Sequence, residues 1–153
     1  MPIESSTNFR RIDDRLTTSG AVPTEDLGRL GEVGYEVVIN LMPDDSPYAV
    51  AGEAGIVTGQ GVAYVPLPVD FEAPTQADLD AFFAAMDANR GRMTHVHCAV
   101  NARVSAFVSL YLLRAGRWSI EEGDSHIHEI WDPADYPAWQ HFIAAQRARI
   151  STS

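Results

Sequence analysis

The segment RMTHVHCAVNARVSAFVSLYLLRAG, residues 92–116, constrains the fold more tightly than any other part of the chain. Residues 92–97 read as a short strand, and 102–116 read as an apolar helix closed by Gly116. Only residues 98–101 separate them. A helix apolar on nearly every side must be buried. A strand that feeds such a helix directly is half of a parallel βαβ unit, which needs helices on both faces of its sheet.

The remaining elements agree with that class. RLTTSG (15–20) reads as a first strand, followed by a helix from Thr24 to Gly34 with Thr24 as N-cap. YEVVINL (35–41) is a β-branched strand, Ser46-Pro47 opens a helix to about Gly59, and GVAYVPLPV (61–69) is a further strand. Pro74-Thr75 precedes the clearest helix, QADLDAFFAAMDANR, where Leu79, Phe82, Phe83 and Met86 form one apolar stripe. A last helix is expected over 137–149, after WDPADYP. The expectation is an α/β domain over residues 1–153, with a mainly parallel sheet of about four to five strands flanked by helices.

Composition narrows the partners. With 21 acidic against 11 basic residues, the net charge of −10 disfavours nucleic acid, whose binding needs a basic surface. No apolar run reaches the roughly 18–20 residues of a membrane span, and the N-terminus has no signal-peptide pattern. One cysteine cannot form an internal disulfide, so a reducing cytoplasm is the expected compartment.

In parallel sheets, ligands bind beyond the carboxyl ends of the strands, where Cys98 lies. The strand-to-helix turn offers unpaired backbone N–H groups and the positive end of a helix dipole, which favour a thiolate and an oxyanion alike. The amides of Ala99, Val100, Asn101 and Ala102 would supply the cradle. Arg103 adds a planar cation suited to bidentate contact with phosphate oxygens. Ser105 could offer its hydroxyl to sulfur or anion, and His97 could order the loop through ring hydrogen bonds.

This segment resembles the phosphate-binding loop of cysteine-dependent protein tyrosine and dual-specificity phosphatases, whose signature is HC, five residues, then R and S/T. It is closer to a bacterial branch of phosphatase-like proteins, the beta-lactamase-hydrolase-like group, where the spacing is C-x4-R as here. RLTTSGAVPTEDLGRLGEVGYEVVINL, GVAYVPLPVDFEAPTQADLDAFFAAMD and VHCAVNARVSAF carry the likeness, which covers most of 8–115. The resemblance implies a single dual-specificity phosphatase-like domain. It implies Cys98 as nucleophile, the loop and Arg103 as phosphate holders, and no cofactor. Where the common signature has glycine, this chain has Asn101, the non-glycine residue that best tolerates a left-handed turn.

Such a phosphatase needs an acid for the leaving group. Asp70, 28 residues before Cys98 on the loop after a strand, is the first choice. Asp44, Asp45, Asp132 and Glu72 are the rivals. His95-x-His97 and His126-x-His128 each place two rings on one face if extended, yet lack a third ligand, so no metal is expected. The expected partners are a small phosphorylated substrate or a phosphoprotein, with phosphate or sulfate in the loop. A rhodanese-like sulfurtransferase, whose loop is one residue shorter, and a weakly active anion-binding module are the alternatives. Trp131, Tyr136 and Trp139 form either a core lid or a dimer patch, leaving oligomerisation open.

Overall fold

A computed structural model describes residues 2–152. Five strands form one sheet: β1 Arg10–Asp13, β2 Leu16–Ser19, β3 Val37–Asn40, β4 Ala63–Pro66 and β5 Thr94–His97. Their order is β1-β2-β5-β3-β4, all neighbours parallel except the β1–β2 hairpin. Ser19 pairs with His97, His97 with Asn40, and Asn40 with Pro66, so the four parallel strands end level. Beyond the strands the ladder continues. Cys98 N–H bonds the Ser19 carbonyl (3.2 Å), Leu41 N–H that of His97 (2.9 Å) and Val69 N–H that of Leu41 (3.0 Å).

Side chains alternate across a strand, so each one feeds two cores. Leu16, Val37, Ile39, Leu41, Val96 and Cys98 face one apolar cluster, which Phe82, Phe107, Ile127 and Trp139 complete. Those residues come from helices α3 (Gln76–Ala88), α4 (Ala102–Arg114), α5 (Ile120–His128) and α6 (Pro137–Ser151). Val38 joins Ile3, Leu27, Leu30 and Val57 on the other face, beneath α1 (Thr24–Leu27) and α2 (Glu53–Thr58). Every residue from Ala102 to Leu112 is buried, as the apolar sequence of that helix requires. No helix among the described residues is long and apolar enough to cross a membrane.

Four local expectations change. The helix expected to run to Gly34 stops at Leu27, and Thr24 is its first residue rather than a side-chain cap. The Gln60 side chain takes the Leu27 carbonyl at 2.6 Å, ending the helix where Gly28 and Gly31 weaken it. Ser46 accepts the Tyr48 N–H in a turn, and α2 begins only at Glu53, after Gly52 in a left-handed conformation (φ 71°). Strand β1 and helix α5 had no counterpart in the sequence expectations. Strand β1 is a charged edge, and α5 carries Gly123 against Ser109, although Ser119 and Glu122 form a capping box that starts it.

Candidate active site

The 98–103 loop is moulded by the N-terminal segment. Asn101 is left-handed (φ 71°), as expected of the glycine position, and so is Asn8 (φ 49°). The two asparagines clamp each other: Asn8 Nδ2 donates to the Val100 carbonyl (3.0 Å), and Asn101 Nδ2 to the Asn8 carbonyl (2.9 Å). Ala21 N–H donates to the Ala99 carbonyl at 2.8 Å. A peptide's C=O and N–H point opposite ways. The carbonyls of Ala99 and Val100 face residues 8–21, so the N–H groups of Val100 and Asn101 turn away from that segment, as an anion-binding nest requires.

Gly20 sits directly beneath the loop. A Cβ there would lie 2.4 Å from the Ala99 carbonyl oxygen and 2.6 Å from Val100 Cα, both backbone atoms. Gly20→Ala is therefore expected to cost about 1–3 kcal/mol, a drop of several degrees in Tm. Gly28→Ala, whose nearest neighbour is 3.5 Å away, serves as the control and leaves Tm unchanged or slightly raised.

Arg103 is 8 % exposed. Its Nη1 donates to the Val69 carbonyl at 2.9 Å, its guanidinium lies 5.7 Å from the Phe71 ring centroid, and its buried Nε has no acceptor. That bond fastens the 67–73 loop, which carries Asp70, against the cysteine loop. Phe71 is pinned in turn: Trp139 Nε1 donates to its carbonyl (2.7 Å), and Trp131, Tyr136 and Trp139 surround its ring. These aromatics are a lid over Phe71; Trp139 is fully buried and Tyr136 remains exposed. Asp70 itself is exposed, its Oδ1 accepting the Glu72 N–H at 2.9 Å. Cys98 is completely buried and belongs to the apolar cluster.

Two expected contacts are redirected. His97 does not bond the loop: its Nε2 meets Glu53 Oε2 at 2.6 Å, on α2, and its buried Nδ1 has no partner. Ser105 commits its hydroxyl hydrogen to the Ala102 carbonyl (2.9 Å) while accepting from Trp131 Nε1 (2.9 Å), so it ties α4 to the lid instead of facing sulfur. Glu53, Asn8 and Gly20 are site residues that sequence reasoning missed. Only Gly20, a glycine closing a strand, carried a signal.

The rival acids separate in space. Asp44 lines a cleft of about 430 Å³ at the same sheet edge, with Glu53, Tyr64 and Pro66. Glu72 lines another beside Phe71 and Tyr136. Asp132 caps the short turn Pro133–Asp135 through Ala134 N–H. His126 and His128 lie on helix α5, so they point to different sides, correcting the extended pair. Among the described residues, no group of three or more His, Cys, Asp or Glu is placed to hold a metal ion.

Comparison with known proteins bears on the family and the fold. The family described as "Beta-lactamase hydrolase-like protein, phosphatase-like domain" matches residues 8–115. The beta-lactamase hydrolase-like protein of Xylella fastidiosa (strain 9a5c) is 30% identical over 145 residues, covering 92% of this chain. The chain spans 33% of that relative's length. A crystal structure of the DUF442 protein of Shewanella putrefaciens CN-32 has a TM-score of 0.88 at 36% identity, covering 95% of this chain and 92% of that one. A mutant form of Tk-PTP, at a TM-score of 0.76 and 18% identity over 95% of this chain and 97% of its own, shares the fold. The sheet and its helices are thus dual-specificity phosphatase-like. Over residues 8–115, the chain belongs to the phosphatase-like domain family of beta-lactamase hydrolase-like proteins.

Proposed function

We propose that this domain hydrolyses phosphomonoesters, small or protein-borne, through a cysteinyl-phosphate intermediate on Cys98. The observation that carries this is Arg103: a buried guanidinium whose Nε–H lacks an acceptor, one helical turn from amides turned away from the N-terminal segment. An unpaired buried donor is costly, and a phosphoryl oxygen supplies the missing acceptor. In the forward step Cys98 Sγ attacks phosphorus and the ester P–O bond breaks. The leaving oxygen takes a proton from Asp70 as the loop amides and Arg103 hold the equatorial oxygens. In the return step Asp70 takes a proton from water, whose oxygen attacks phosphorus as the S–P bond breaks. The tie from Arg103 to Val69 supports Asp70 in this role, because it fastens the preceding residue to the phosphate-binding arginine.

The test is an aryl phosphate assay with rapid acid quench and mass spectrometry of the intact chain. Phosphate release together with one phosphoryl group on Cys98 is the expected result. Asp70→Asn should lower kcat by about 10²–10⁴-fold, and by less for a leaving group that needs no proton. The short C-x4-R loop and the complete burial of sulfur favour one second reading, a sulfurtransferase, since a persulfide is smaller than a bound phosphate. Thiocyanate from thiosulfate and cyanide, with no ester hydrolysed, would replace the phosphatase assignment by that one.

A further inference from the structure

We infer that His95 is a positioning residue for the anion loop. It is the centre of a buried hydrogen-bond chain that runs from Tyr35 across the sheet and ends on the Val100 amide. This inference rests on the anion-binding role of the loop given above, and extends it to residues on the opposite face of the sheet.

The contacts are short and continuous. Tyr35 Oη lies 2.7 Å from Thr17 Oγ1, which lies 2.8 Å from His95 Nδ1. His95 Nε2 lies 2.8 Å from Ser19 Oγ, and Ser19 Oγ donates to the Gly20 carbonyl at 2.7 Å. Thr17, Ser19 and His95 are all completely buried.

Donor counting fixes every direction. Ser19 has one hydroxyl hydrogen, and it goes to Gly20. Ser19 must therefore accept from His95, which places a proton on Nε2. Burial, reinforced by His97 beside it, holds the His95 imidazole well below its usual pKa. The ring is neutral, and Nδ1 must be an acceptor. Thr17 then donates to Nδ1 and accepts from Tyr35. Burial raises the Tyr35 phenol above its ordinary pKa, which keeps that proton in place.

The chain does not stop at Gly20. Its carbonyl shares a peptide plane with Ala21 N–H, which donates to the Ala99 carbonyl at 2.8 Å. The Ala99 carbonyl shares a plane with Val100 N–H, which points the opposite way. Every donor from Tyr35 to Val100 thus points in one sense. A group that accepts a hydrogen bond becomes a better donor, so polarisation accumulates toward the loop. No charge is buried in the process, and none needs to be: the dipoles alone lean toward the anion.

The test uses the whole chain with inorganic phosphate as the probe. Histidine ¹⁵N spectra should show His95 with Nε2 protonated and Nδ1 bare; the opposite tautomer, or a doubly protonated ring at neutral pH, overturns the inference. Tyr35→Phe removes one O–H at the remote end. It should move the Val100 amide proton upfield and weaken phosphate binding about two- to threefold, in line with the 10–30% cooperative strengthening per bond. Tyr111→Phe, which loses a bond to Asp87 near the C-terminal ends of α3 and α4 and outside the chain, should leave both unchanged. His95→Gln retains an N–H toward Ser19 and should keep more phosphate affinity than His95→Leu; equal losses would mean that packing alone matters. A Val100 amide shift that ignores Tyr35→Phe sinks the relay even if the wild type binds phosphate. Failure of wild type to bind phosphate at all, with the tautomer and Val100 shift as expected, would instead strike the phosphatase assignment.

Discussion

Cys98→Ser is expected to abolish turnover of an aryl phosphate, by about 10⁴-fold or more, the scale on which loss of an attacking side chain removes catalysis. The replacement is nearly isosteric, and the site is completely buried. The Asn8–Asn101 clamp and the Gly20 contact are untouched by it. Melting should therefore stay cooperative, and phosphate should still raise Tm, because the amides and Arg103 remain. What disappears is the proposed nucleophile, since a serine hydroxyl attacks phosphorus far less readily without a base beside it. Retained hydrolysis in purified Cys98→Ser would rule out the covalent route.

Arg103→Lys comes next in size. Lysine keeps the charge but replaces a rigid fork of donors by a point charge. The native guanidinium uses Nη1 on the Val69 carbonyl while its Nε–H stays free for the loop. An ammonium cannot serve both in fixed geometry. The expected loss is about 10³-fold in kcat, with a weaker rise of Tm in phosphate and a looser Asp70 segment. Hydrogen exchange at 67–73 measures the last of these: it should quicken in Arg103→Lys but not in Cys98→Ser. Equal exchange in the two variants would mean that Arg103 does not hold the acid loop.

The parts of this molecule that announce themselves in sequence are those decided within a few residues. The strand at Val37–Asn40 follows from a β-branched run, the strand at Thr94–His97 from its place just before the apolar helix, and α3 from its apolar stripe. Asn101 was legible because so few residues accept its backbone angles. Strand β1 was hidden because RRID, three of its four residues charged, reads as solvent-facing even though it closes a local hairpin with β2. Helix α5 was hidden because Gly123 and two histidines dilute its apolar pattern. At the site, Cys98, Arg103 and the Asp70 loop do converge on one sheet edge. Ser105 and His97 were given the wrong partners, because Trp131 and Glu53 come from distant segments whose approach no local pattern encodes.

The reciprocal clamp between Asn8 and Asn101 joins positions more than ninety residues apart in the chain. Closing so long a loop costs entropy that only the assembled sheet recovers. The clamped nest is therefore expected to form late in folding, after the sheet has assembled. An oxyanion that recognises it binds finished molecules alone, drawing the population toward them by mass action. In a refolding experiment, phosphate should slow unfolding and leave the initial collapse rate untouched.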